Sequence, residues 1–179
     1  MAAGTIVLLL LLTACLPPDR SDRRIEGMTA SEQRQELQSR PSIDEAVTAY
    51  NHVLSDAVTR LARLGLTPWL QEQQLPGGKD AERCYDFHKL TSREARSVQL
   101  TWRRSRRIEP AQWDAAVTAV ADAARQAGFA EWPDPARPPG QYYSMRDVHD
   151  AHLSFQSDID RQTNDAGLSI QTGCSLTTK

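Results

Sequence analysis

Residues 151–176, AHLSFQSDIDRQTNDAGLSIQTGCSL, decide the fold. Ala151, Leu153, Phe155 and Ile159 alternate with mostly polar residues, and Leu168, Ile170, Thr172, Cys174 and Leu176 do the same. A period of two puts every second side chain on one side of a strand. Asn164-Asp165-Ala166-Gly167 parts the two runs with turn-forming residues, so the stretch reads as a β-hairpin. Only one side is apolar, which suits an antiparallel sheet with one face packed and one wet.

Upstream, Val98, Leu100 and Trp102 alternate with Gln99, Thr101 and Arg103 and predict another strand, and Trp69 to Gln73 is a candidate for one more. Two helices would cover the packed face. Ser42-Ile43-Asp44-Glu45 is a capping box preceded by Pro41. Ile43, Val47, Tyr50, Leu54, Val58, Leu61 and Leu64 follow at helical spacing, and Gly65 closes the helix. The second helix starts at Pro110, carries the stripe Trp113, Ala116, Val117, Val120, Ala121 and Ala124, and ends at Gly128. Pro133 to Gly140 contains four prolines and reads as a loop. The expected fold is α+β: two layers, an antiparallel sheet with about two helices packed on one face.

The N-terminus reads as an address. Ile6 to Leu12 is an unbroken apolar run. It is too short to span a bilayer, which takes roughly 20 residues, and fits the hydrophobic region of a secretory signal. It ends in Leu12-Thr13-Ala14-Cys15, with Pro17, Pro18 and charged residues beyond. An aliphatic residue, two small residues and a cysteine resemble the lipobox of bacterial lipoproteins. That resemblance implies diacylglycerol on the Cys15 thiol and cleavage between Ala14 and Cys15. One departure is that Met1 to Thr5 carry no Lys or Arg, although a positive start is usual. The alternative is an ordinary secretory signal cut elsewhere. The expected organisation is a signal peptide at 1–14, lipidated Cys15 with a flexible polar tether over 15–41, and the α+β domain at 42–179. The tether is poor in large apolar residues, too poor to offset its own ordering entropy. Within it, Thr29 and Glu32 have capping-box spacing, so Thr29 to Leu37 is a candidate short helix.

The chain has 179 residues, Lys+Arg 21 against Asp+Glu 23, and a net charge of −2, which excludes a globally basic nucleic-acid binder. Beyond Cys15 the cysteines are Cys84 and Cys174. Export would place both in an oxidising compartment, where a disulfide closing about 90 residues is favoured and contributes roughly 4 to 5 kcal/mol by chain entropy.

Little points to catalysis. Gly-x-Ser-x-Gly, His-Glu-x-x-His and a phosphate-binding glycine loop are all missing from the sequence. His149 and His152 would lie on opposite faces of a strand, and two ligands fall short of a zinc site. His52 and His88 have no recognisable spacing, and Asp158, Asp160 and Asp165 form at most a weak cation site. No cofactor, metal ligand or catalytic residue is expected. Arg103, Arg104, Arg106 and Arg107 form the densest charge cluster and are the candidate contact to an anionic surface. The plainer alternative is a solvated strand end. Tyr142 and Tyr143, after the proline loop, are candidates for a binding surface or for packing.

Lipobox, tether, capped helix, Cys84, strand, second helix and a hairpin ending in Thr172-Gly173-Cys174 together resemble the LppA-like lipoproteins of mycobacteria and related actinobacteria. Glu45-Ala46 at the start of the long helix also matches. The resemblance implies a surface-anchored α+β domain without assigned catalytic residues. The function expected is therefore a lipid-anchored cell-envelope protein on the extracytoplasmic face of the membrane, with a non-catalytic binding domain. Its candidate partners are another envelope protein or a glycolipid. The alternatives are a small extracytoplasmic hydrolase or metal-dependent enzyme, or a lipid carrier.

Overall fold

The computed structural model describes residues 25, 27–72, 81–133, 140–157 and 164–177. The helices are α1 (Ala30–Gln38), α2 (Ile43–Arg63) and α3 (Pro110–Gln126). The strands are β1 (Leu70–Gln71), β2 (Ala81–Arg83), β3 (Ala95–Arg104), β4 (Ala130–Glu131), β5 (Tyr142–Arg146), β6 (His152–Ser157), β7 (Ala166–Gln171) and β8 (Ser175–Leu176). The sheet is antiparallel, in the order β1-β3-β7-β6-β5-β4, with β2 and β8 also on β3.

The hairpin forms as expected: β6 pairs β7 with Leu153 opposite Ile170 and Phe155 opposite Leu168, all fully buried. Ala166 and Gly167 belong to β7 itself, opposite Ser157 and Gln156, so the turn is shorter at its C-terminal side than the sequence suggests. Ile159, Asp158 and Asp160 lie outside the described residues.

The second run of the hairpin is not one strand. Gln171 pairs with Gln99, but Ser175 pairs with Arg96, so five residues on one side face four on the other. That is a β-bulge over Thr172-Gly173-Cys174. Thr172 holds it to β3: its N–H donates to the Val98 carbonyl and its Oγ1 accepts from the Val98 N–H, both at 2.9 Å.

Both long helices match their sequence signals. Ser42 Oγ accepts from the Glu45 N–H and the Glu45 carboxylate accepts from the Ser42 N–H. Gly65 (φ 77°) and Gly128 (φ 87°) end α2 and α3 in the left-handed conformation that glycine adopts freely. Leu54, Ala57 and Leu61 of α2 and Ala116, Val120 and Ala124 of α3 meet Leu100, Met145, Leu153, Phe155, Leu168 and Ile170 in one core. Trp113 stacks on Phe155 at 5.1 Å between ring centroids.

The candidate helix over Thr29–Leu37 forms: α1 is folded and capped by the Thr29–Glu32 box, with Gln33 and Leu37 fully buried, so the stretch 15–41 is not a flexible tether throughout. Nor is one face of the sheet wholly wet. Leu37 packs with Cys84, Phe87, Leu90, Ala95 and Leu176 in a second cluster. Ala95 and Leu100 are five apart on β3 and so project to opposite sides. α1 and the Cys84–Leu90 segment therefore cover the back of the sheet at the start of β3.

Candidate functional site

At its far end, β3 finishes at Arg104 and the chain turns through Ser105 to Glu109 into α3. Arg104 is 8% exposed, the one charged side chain in the buried set among the described residues. Its Nη1 donates to the carbonyls of Arg106 (2.6 Å) and Arg107 (2.8 Å), which shapes the turn. Its Nε has no hydrogen-bond partner. Burial, and then the charge of Arg106, hold its pKa below the usual guanidinium value; it remains a cation at neutral pH.

The turn is fixed from below. The Ile108 N–H donates to Ser157 Oγ at 2.9 Å, and the Ser157 hydroxyl donates to the Ile108 carbonyl at 3.2 Å, both buried. Pro110 sets the first turn of α3, whose N-cap Glu109 makes no side-chain capping bond and whose first turn holds no acidic residue. The Glu109 carboxylate instead sits on the Arg107 guanidinium at 3.3 and 3.4 Å. The N-cap side chain thus does not cap the partial positive charge of the helix end. Arg104, Arg106 and Arg107 with Ser105, Glu109, Gln112 and Asn164 line a cleft of 460 Å³ over this turn.

The structure divides the four sequence-predicted arginines. Three line the cleft; Arg103 does not, and its Nε pairs with the Glu72 carboxylate at 2.5 Å. Arg106 is exposed and has no ion pair among the described residues. Gln112, Ser157 and Asn164 were missed as site residues. Asn164 had shown only as a turn residue, which its φ of 57° explains.

The remaining candidates are structural. Cys84 and Cys174 are disulfide-bonded, with Cα atoms 5.7 Å apart. Beside the bridge, Gly173 meets the segment 147–151, a turn rather than the expected strand. A Cβ on Gly173 would lie 1.8 Å from the His149 carbonyl oxygen. Arg40 closes the same junction: Nη1 donates to that oxygen at 2.9 Å, Nη2 pairs with Asp150 at 3.2 Å, and the guanidinium lies 5.4 Å from the centroid of Phe87. Asp147 Oδ1 accepts from the His149 and Ala151 N–H groups (2.8 and 2.9 Å), and Oδ2 accepts from Tyr50 Oη at 2.5 Å. Burial first, then Asp147, push the Tyr50 phenol well above its usual pKa. His149 and Asp147 are thus joined by a backbone turn. Among the described residues no three His, Cys, Asp or Glu side chains gather as metal ligands. Tyr142 and Tyr143 begin β5, with Tyr143 half-buried against the main core.

Fold and bridge define a class: a disulfide-closed α+β domain with two helices over an antiparallel sheet. The model of the LppA family, described as a lipoprotein confined to pathogenic Mycobacterium, matches residues 18–178. The chain belongs to this LppA lipoprotein family. Its fold is similar to a crystal structure of LppA from Mycobacterium tuberculosis, with a TM-score of 0.51 and 12% identity over 86% of this chain and 89% of that one. No curated protein matches the chain.

Proposed function

We propose that this is a lipid-anchored envelope protein. In this reading Cys15 carries the acyl chains after removal of residues 1–14, the domain lies on the extracytoplasmic face, and its task is binding rather than catalysis. The single observation that carries it is membership of a lipoprotein family over nearly the whole chain, and the resemblance of Leu12-Thr13-Ala14-Cys15 to a lipobox supports it. The Cys84–Cys174 bridge supports an oxidising compartment. The cleft supports binding: guanidinium groups hold and orient anions but do not exchange protons near neutral pH.

The folded α1 sets the geometry. Ten residue steps lead from Cys15 to Ile25, which packs on the second cluster. A chain of that length reaches at most about 36 Å. The anchor joins the domain at the α1 end, and the arginine cleft lies at the opposite end of β3, roughly 30 Å away, a distance such a tether can span.

Cys15→Ser tests the anchor. The full-length variant should leave the membrane fraction for the soluble or secreted one while still folding with its disulfide. Retention of the variant in the membrane at the wild-type level would refute lipid anchoring through Cys15.

A further inference from the structure

We propose that the cleft between the end of β3 and the start of α3 binds a phosphorylated sugar or polyol, its phosphoryl group held by Arg104, Arg106 and Arg107 over the first turn of α3. This deepens the binding-domain reading and rests on it. Two independent observations point to an anion. The N-cap side chain of α3 makes no capping bond, and the first turn holds no acid. Arg104, Arg106 and Arg107 line one cleft, so their guanidinium donors are presented together to the oxygens of an anion.

Charge complementarity fixes the ligand's sign. Among the described residues, three guanidinium groups line the cleft with one carboxylate, and that carboxylate is engaged by Arg107. Forked guanidinium donors match the oxygens of a phosphoryl group, and a helix N-terminus adds backbone dipoles of the same sense. Size fixes the rest. The cleft of 460 Å³ falls in the range of small-molecule sites, about 300 to 1,000 Å³, and exceeds what one phosphoryl group fills. Ser105, Gln112 and Asn164 supply hydroxyl and amide groups to hydrogen-bond a polyhydroxyl body. The Ser157–Ile108 bonds and the Trp113–Phe155 stack hold the turn and helix in place, so little ordering is required on binding.

The test is calorimetric titration of the full lipidated chain in detergent micelles with glucose 6-phosphate, glucose and inorganic phosphate in turn. Glucose 6-phosphate should bind, more tightly than inorganic phosphate, and glucose should not. Arg106→Glu should weaken binding by roughly tenfold or more. Because Arg106 is exposed and has no ion pair among the described residues, the variant should keep the wild-type thermal midpoint. Arg103→Gln, off the cleft, should bind as wild type does. No binding of glucose 6-phosphate, or binding that Arg106→Glu leaves unchanged, would overturn the proposal. Equal affinity for inorganic phosphate would mean an adventitious ion only. Arg106-dependent sedimentation with phosphatidylglycerol vesicles, without glucose 6-phosphate binding, would make the patch a membrane contact instead. The intact mass of the same sample separates the two claims: an acylated protein that fails to bind sinks only the cleft, and an unacylated protein that binds sinks only the anchor.

Discussion

At Gly173 a single missing Cβ allows the bulge to touch the turn at His149. Gly173→Ala places a carbon 1.8 Å from a carbonyl oxygen. We expect a loss of about 2 to 3 kcal/mol, read as a lower denaturation midpoint. Gly27→Ala, with nothing within 4 Å, should shift it by less than about 0.5 kcal/mol. The motif Thr172-Gly173-Cys174 was visible in the sequence, but its partner was not: His149 lies 24 positions earlier and meets it only in the folded chain. The tyrosines give a pH signature. Burial, then the Glu131 carboxylate, push Tyr143 up to about 12, and Tyr50 is pushed up more strongly by burial and Asp147. A raised folded-state pKa means that the folded protein prefers the protonated phenol. The associated stability is complete below the unfolded value near 10 and is lost as pH rises through the folded one. The denaturation midpoint should therefore fall between about pH 10 and 12, and less steeply in Tyr143→Phe. Equal slopes for the two proteins would contradict the assignment.

At the scale of elements, strong periodicity was legible and weak periodicity was not. α2 and α3 begin at the capping box and the proline that announce them, and end at their glycines. β6 and β7 follow their alternation. α1 was legible as a helix from its Thr29–Glu32 capping box, but not as a packed one: it buries only Gln33 and Leu37, yet Leu37 is 0% exposed. Its stabilisation comes from Phe87, Leu90, Ala95 and Leu176, residues that no local window contains. Its polar surface is tied down as well. Arg34 pairs with Glu94, whose carboxyl is held below its usual range first by the Thr91 N–H and then by Arg34. Leu37→Ala should thus cost about 2 to 5 kcal/mol, as for a core leucine. A solvated spacer would lose less than about 0.5 kcal/mol, so a denaturant melt of this variant decides between them.

Over the whole molecule, β3 is the axis. Its first half carries α1, β8 and the bridged Cys84–Cys174 loop, and its last residue enters the arginine cleft. The charged cleft occupies the end of β3 opposite α1. The fold class and the cysteine pair were legible because alternation and an even thiol count are local or countable features. The cleft was legible only as an arginine run. Asn164 joins its lining, and Ser157 fixes the turn at Ile108, both brought in from the hairpin by long-range pairing. The central claim is an acylated, disulfide-closed domain, and intact mass spectrometry of the membrane-extracted protein with and without reductant tests it most directly. The account predicts the mass of Cys15 to Lys179 plus acyl chains, rising by two hydrogens on reduction. A mass without acyl chains, or one that reductant leaves unchanged, would contradict it.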